Sequence, residues 1–477
     1  MQRRLTLAAG IGIVSLAAVI LALPNVARCA ASPEEQAERI LEATGVRGGL
    51  VVHLGCADGR LTAALRAGEA YLVHGLDGDP ANVAKARAHI QQKGRYGPVS
   101  VDHWTGPALP YADDLVDLVV AEPLGPVPMA EVMRVLAPGG VAQVKDGGAW
   151  KKTVKPWPDD IDDWTHFLHD ASNNAVAQDK RVGPPQRLRW WAGPRWCRSH
   201  EFISSFMGMI AGGGRIFYVF DEGLTGVTDS RLPEKWVLVG RDAFNGVLLW
   251  KRPLPRWRAD IRWNTSLRGR PACVPRRLVT DGEHLYMTLS HQGPVEVLDP
   301  ATGKTLRTLD GTETAEELVL ADGTLLVHLA GSGQTRGKPD EVIVAVDAES
   351  GQTRWRADVG RYAPTSLAAA GGRAIYNNRE ETVCVGLADG KERWRAEAKG
   401  GGNQTFILLP DTVVECTGSA IVARDADTGN ERWTTRTGGK SMRGQDVFVS
   451  GGCVWHADGD GVAGYDLKTG KVAKTVD

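Results

Sequence analysis

The feature that most narrows what this chain can fold into is a pattern repeated six times after residue 237. Each copy alternates apolar residues, then carries a turn of the form Asp-x-x-x-Gly or a close variant. In most copies a tryptophan follows four positions after the glycine. The copies begin at Val237, Val295, Val342, Thr382, Ile421 and Val462, with turn glycines Gly246, Gly303, Gly351, Gly390, Gly429 and Gly470. A spacing of roughly forty residues is the period of a propeller blade. Period-two alternation marks a strand with one buried face. Asp caps local amides and Gly adopts a positive φ, which makes a tight hairpin. The tryptophan (Trp250, Trp355, Trp394 or Trp433) then buries a large flat surface between neighbouring blades. An earlier hairpin precedes each copy, so two hairpins build a four-stranded blade. The expectation over residues 187–477 is an all-β propeller with six visible blades.

Residues 32–150 read differently. Ser32 caps a helix with Glu35 three places on. Gly49 opens an apolar strand that runs into a glycine loop and a second helix, and the stretch from Ala70 repeats that order. Further strands are expected at Pro98, Leu115 and Val141, with a helix from Ala130 ending at Pro138-Gly139-Gly140. Strands separated by helices predict an α/β doubly wound parallel sheet. The loop His53-Leu54-Gly55-Cys56-Ala57-Asp58-Gly59 and the acid Asp77, 18 residues after Gly59, have the spacing of a nucleotide site.

Both halves resemble known families. The repeats are similar to those of pyrroloquinoline-quinone dehydrogenases and of BamB outer-membrane assembly lipoproteins. Asp163-Trp-Thr-His-Phe-Leu-His-Asp170, followed by the segment from Gly183, resembles the opening segment of BamB-like propellers, where such a strand closes the ring on the last blade. Those propellers usually have eight blades, so the resemblance implies an incomplete ring; a closed six-bladed ring is the alternative. Residues 34–150 resemble class I S-adenosylmethionine methyltransferases. The resemblance implies that Gly55, Ala57 and Gly59 approach the ligand's amino-acid moiety and that Asp77 takes the ribose hydroxyls. It also puts Thr105 where the family often has an acid near the adenine amine. His53 stands where the family has an acid, and Ala57 where it has glycine. No catalytic residue can be nominated. Glu122 is the one acid placed where a substrate could be met, and a solvated strand-end charge is its plainer reading.

The calcium site and adjacent cysteines of the quinone enzymes have no counterpart here, which argues against a bound quinone. The seven cysteines form no CxxC pair, so metal clusters and haem are not expected. His166 and His169 would share one helical face and could hold a metal; backbone-bonded histidines in an irregular segment are the preferred reading, so no metal is assigned. With 56 basic against 57 acidic residues there is no footprint for nucleic acid. Arg3, Arg4 and the apolar run to Leu23, with Cys29-Ala30-Ala31, read as a signal peptide over residues 1–31, or as an uncleaved anchor, the one expected link to a membrane. An export signal places the protein in the periplasm or cell envelope. Residues 151–186 form a Trp- and His-rich junction, and Arg187, Arg189, Trp190, Trp191, Arg195 and Trp196 interleave beyond it. That stripe is expected at an interdomain interface; exposed, it would stack on sugars or acidic peptides. These features support an exported scaffold whose propeller binds a protein or polysaccharide partner, beside a degenerate S-adenosylmethionine-binding domain. The alternatives are a working methyltransferase with a substrate-selecting propeller, and a quinone-dependent dehydrogenase.

Overall fold

A computed structural model describes residues 31–184, 187–193, 195–196, 205–225, 232–257, 274–331, 341–399, 405–417, 420–437, 447–458 and 461–476. The signal segment, apart from Ala31, lies outside them. Among the described residues no helix is long and apolar enough to cross a membrane.

The first domain is built in the order α1 (Pro33–Thr44), β1 (Gly49–Leu54), α2 (Arg60–Ala64), β2 (Tyr71–Asp77), α3 (Pro80–Gln92), β3 (Val99–His103), β4 (Val116–Ala121), α4 (Met129–Val135), β5 (Leu136–Asp146) and β6 (Ala149–Val154). Its sheet has the order β3-β2-β1-β4-β5-β6. The first five strands are parallel and β6 is antiparallel to β5. The start of α1 follows its capping chemistry: the Glu35 amide donates to Ser32 Oγ at 3.2 Å, and the Ser32 amide donates to Glu35 Oε2 at 3.1 Å. α1, α2 and α3 bury Ile40, Ala63, Val83 and Ile90 against one sheet face, and α4 buries Val132 and Val135 against the other. The expected helix before Pro138 is shorter than read, because residues 136–140 already belong to β5. β6, absent from the sequence reading, follows β5 through a two-glycine hairpin at Gly147 and Gly148.

The described part of the propeller comprises six four-stranded antiparallel sheets, spanning 206–253, 278–309, 315–360, 368–397, 405–436 and 447–476. One contact rule joins successive blades. The residue four places after the turn glycine donates a hydrogen bond to a backbone carbonyl in the next blade's turn. Trp250 Nε1 donates to the Pro300 carbonyl at 2.9 Å, Trp355 to Leu387 at 2.9 Å, Trp394 to Ala426 at 3.0 Å and Trp433 to Leu467 at 2.9 Å. Blade two has Arg307 at this position, and its guanidinium donates to the Ala348 carbonyl instead. Each tryptophan also presses on the neighbouring glycine: a Cβ on Gly429 would stand 2.5 Å from the Trp394 ring. That glycine therefore answers both to a φ of 74° and to the indole lying over it.

The segment from Trp164 to Asn174 serves as the propeller's hub. It contains no strand; only a single bridge joins His166 to His169. It meets the innermost strand of every described blade in chain order. The Trp164 carbonyl accepts from Ala211 at 2.7 Å and the Thr165 carbonyl from Thr280 at 3.1 Å. His166 Nε2 accepts from the Leu320 amide at 2.9 Å. The Ala171 and Ser172 carbonyls accept from Ala369 at 2.8 Å and Leu408 at 3.0 Å. The Asn174 side chain holds both backbone groups of Val449, at 2.8 and 3.0 Å. The ring-closing strand expected after Gly183 does not form in residues 187–193, and Trp164–Asn174 instead joins the blades as a spoke-by-spoke hub. His166 and His169 share no helical face: His169 has a φ of 73°, and the segment is irregular, as its preferred reading had it.

The two domains are packed together at the amino-terminal edge of the α/β sheet. Asn245 Nδ2, in the turn of blade one, donates to Asp117 Oδ2 at 2.7 Å and to the Leu115 carbonyl at 3.0 Å. Arg47 pairs with Asp299 of blade two at 2.8 Å, and Trp157 meets Phe244 edge-on at 6.0 Å. Trp190 Nε1 donates to the Ala243 carbonyl at 3.0 Å, so it covers blade one's turn as a preceding blade's tryptophan would. Arg189 meanwhile donates to the Asp114 carbonyl at 3.0 Å. The Arg/Trp stripe is therefore divided: Arg189 serves the interface and Trp190 covers blade one, whereas Trp191 and Trp196 are 78% and 66% exposed.

Candidate functional site

The site is built at the sheet edge opposite the propeller. Parallel register sets Leu54 beside Leu76 on one side and Ala121 on the other. Gly55, Asp77 and Glu122 therefore leave three adjacent strands at one level, roughly 5 Å apart per strand. Because the propeller docks at the far ends of these strands, it leaves this edge uncovered.

The loop between β1 and α2 has three left-handed residues, Gly55 (φ 71°), Ala57 (φ 47°) and Gly59 (φ 76°). No atom stands within 4 Å of a Cβ built on Gly55, so the backbone there is open to close approach. On Gly59 a Cβ would meet the Ala86 Cβ at 2.7 Å, and the loop could not pack on α3. Ala57 keeps the left-handed backbone of the glycine it replaces, at a cost of about 1–2 kcal/mol. Asp77 is buried and ties the loop to β2. Its Oδ2 accepts the Ala57 amide at 2.8 Å, while Oδ1 accepts the Asp79 amide at 2.9 Å and Asn82 Nδ2 at 3.2 Å. Thr105 borders the same end of β2, its methyl 4.0 Å from a Cβ built on Gly78. Gly55, Ala57, Gly59 and Asp77 thus lie together at one strand end, with Thr105 beside Gly78. The geometry adds Asn82, in the first turn of α3, which the sequence reading does not single out.

His53 lies beneath this loop with Nδ1 2.8 Å from Thr62 Oγ1. Burial pushes its pKa down to about 4, against the opposing pull of the Glu122 and Asp77 carboxylates. At neutral pH it is uncharged, so the place of an acid holds no counter-charge. Glu122 forms an ion pair with Lys145 at 2.9 Å and accepts from Gln36 Nε2.

In the hub, His166 is buried and its pKa is pushed down to about 3 by that burial. His169 lies between two acids, with Nε2 2.7 Å from Asp162 and Nδ1 3.2 Å from Asp170, and the Asp170 hydrogen bond leads the rise in its pKa. The two histidines face different partners, and no cluster of three metal-type ligands occurs among the described residues.

Residues 51–140 match the model of a methyltransferase domain, and residues 339–475 match that of outer membrane protein assembly factor BamB. No curated protein matches the chain. Among solved structures, BamB from Moraxella catarrhalis is 15% identical, covering 57% of this chain and 74% of its own, with a TM-score of 0.38. A Methanococcus maripaludis protein described as an S-adenosyl-L-methionine-dependent methyltransferase is 22% identical over 24% of this chain and 56% of its own, with a TM-score of 0.23. Geranyl diphosphate C-methyltransferase from Streptomyces coelicolor A3(2) is 18% identical over 23% and 43%, with a TM-score of 0.22. The chain thus spans about half the length of these methyltransferase structures. The chain therefore carries a methyltransferase-like domain, matched over residues 51–140, followed by BamB-like propeller repeats, matched over residues 339–475.

Proposed function

We propose that the first domain binds an S-adenosylmethionine-type nucleoside at the Gly55–Gly59 loop, and that the propeller is a scaffold presenting this domain to a protein or polysaccharide partner in the cell envelope. The observation that carries the reading is the Ala57–Asp77 bond. It keeps the loop closed on β2 and holds a carboxylate at the strand end, despite the loss of the middle glycine. Gly55, Ala57 and Gly59 would take the amino-acid end of the ligand through backbone groups. Asp77 would take the ribose hydroxyls, and Thr105 would border the adenine. When bound, S-adenosylmethionine supplies an electrophilic methyl group. The chain's own part is to hold, orient and partly desolvate it. Three of Asp77's roughly four acceptor directions are already used, and neutral His53 offers nothing to the ligand's ammonium. Both point to modest affinity.

Calorimetric titration of S-adenosylmethionine into the chain lacking residues 1–31 tests this. Sub-millimolar binding abolished by Asp77→Ala is expected. A folded sample giving no heat at millimolar ligand would reject it. That result would favour the second reading, a retired domain kept for packing, which the His53 and Ala57 departures support.

A further inference from the structure

A cavity of about 490 Å³ opens at the same end of the sheet, between α1 and the β5–β6 hairpin. Its floor is Gln143, which lies between Val141 and Lys145 on the α1 side of β5, where period-two alternation would put an apolar side chain. Gln143 is only 4% exposed, and its Oε1 has no hydrogen-bond partner. A buried acceptor without a donor is the unusual state in a folded protein. One wall is Trp150, paired in register with Lys145, whose ammonium lies 5.8 Å from the ring centroid. The rim is formed by Arg39 of α1 and by Glu122. Lys145 is neutralised by Glu122 at 2.9 Å, whereas Arg39 has no carboxylate partner among the described residues. The net charge around the cavity is therefore positive.

We propose that this cavity is a binding site for a small planar carboxylic acid bearing a hydroxyl or ring N–H group. The ring lies on the Trp150 indole, the donor satisfies Gln143 Oε1, and the carboxylate meets Arg39. The inference deepens the nucleoside-binding reading, because Glu122 borders the cavity and leaves its strand beside Gly55. It would make this acid the companion ligand of the same edge.

The probe is 4-hydroxybenzoate, followed by ligand-observed NMR and calorimetry on the chain lacking residues 1–31, with 4-hydroxybenzamide as its uncharged analogue. Saturable binding is expected, with the amide about tenfold weaker. Arg39→Ala should weaken the acid by about tenfold and leave the amide unchanged, while Gln143→Leu should weaken both. Asp77→Ala should leave binding of both the acid and the amide unaffected, so the loss of nucleoside binding is scored separately. No saturation by the acid at about 10 mM with folded protein, roughly the weak end of specific affinity, would overturn the proposal. So would binding indifferent to both Arg39→Ala and Gln143→Leu. Binding of nucleoside alone would sink this inference and leave the other standing.

Discussion

At the scale of single residues, the nucleotide loop shows how a departure from a motif can leave its shape intact. Ala57 holds a φ of 47° because Asp77 accepts its amide from below. Ala57→Gly should relieve the left-handed backbone, partly offset by greater freedom in the unfolded chain. A gain of about 0.5–1 kcal/mol is expected by thermal or urea denaturation; a loss would mean that the alanine methyl is needed where it stands. Gly59→Ala should do the opposite and destabilise strongly, since α3 leaves no room for a Cβ. Gly55, Gly59 and Asp77 could be picked out in the sequence because glycines and a strand-end acid at fixed spacing have few other uses. Gln143 was not, because a lone glutamine in a strand carries no signal until its neighbours and its burial are known.

At the scale of elements, the blades repeat an inter-blade donor rather than a tryptophan. The position four after the turn glycine holds Trp250, Arg307, Trp355, Trp394, Trp433 and Lys474, all N–H donors. In the first five the donor reaches a carbonyl of the following blade, whereas Lys474 lies 6.0 Å from its own blade's Trp455 ring. Trp394→Ala should cost about 3–5 kcal/mol, by analogy with other large-to-small core changes. Trp394→Phe should recover most of the packing but not the bond to Ala426. Equal denaturation midpoints for Trp394→Phe and Trp394→Ala would show that packing is not what the indole supplies. The strands and turns of these blades could be read from residue pattern alone, since alternation and Asp/Gly turns are local chemistry. The hub could not. Its bonds to six blades link Trp164–Asn174 to residues 47 to 275 positions away, and its sequence reads only as polar and aromatic. The irregular segment read there follows from His169, which takes a left-handed backbone that no helix admits.

At the scale of the whole molecule, two neighbouring acids, Asp117 and Asp242, stand where the α/β domain meets the propeller, and Asn245 bonds to Asp117 across the junction. Burial pushes the Asp117 carboxyl well above the usual carboxylate range, and Asp242 beside it is raised as well, so the pair keeps its protons to higher pH in the folded chain than in the unfolded one. Gly49 makes the arrangement possible, for a Cβ there would stand 2.0 Å from Asp117 Oδ2. In the unfolded chain both acids ionise near pH 4. Folding therefore keeps a proton that the unfolded chain has released. The pair's contribution is fully present below about pH 4 and declines as pH rises through the folded value. Melting temperature should accordingly fall more steeply with rising pH in the native protein than in Asp117→Asn, whose amide can donate to Asp242 at any pH. Parallel pH profiles would show that the pair does not titrate at this interface. None of this was visible in the sequence, because Asp117 and Asp242 are 125 positions apart and belong to different domains.

The most direct test of the account is amide hydrogen exchange of the chain lacking residues 1–31, with and without saturating S-adenosylmethionine. The account predicts slowed exchange confined to residues 53–59 and 77–82, with the blades unchanged and the effect lost in Asp77→Ala. Protection appearing in the propeller instead, or no change at any ligand concentration, would contradict a nucleoside site at the strand ends.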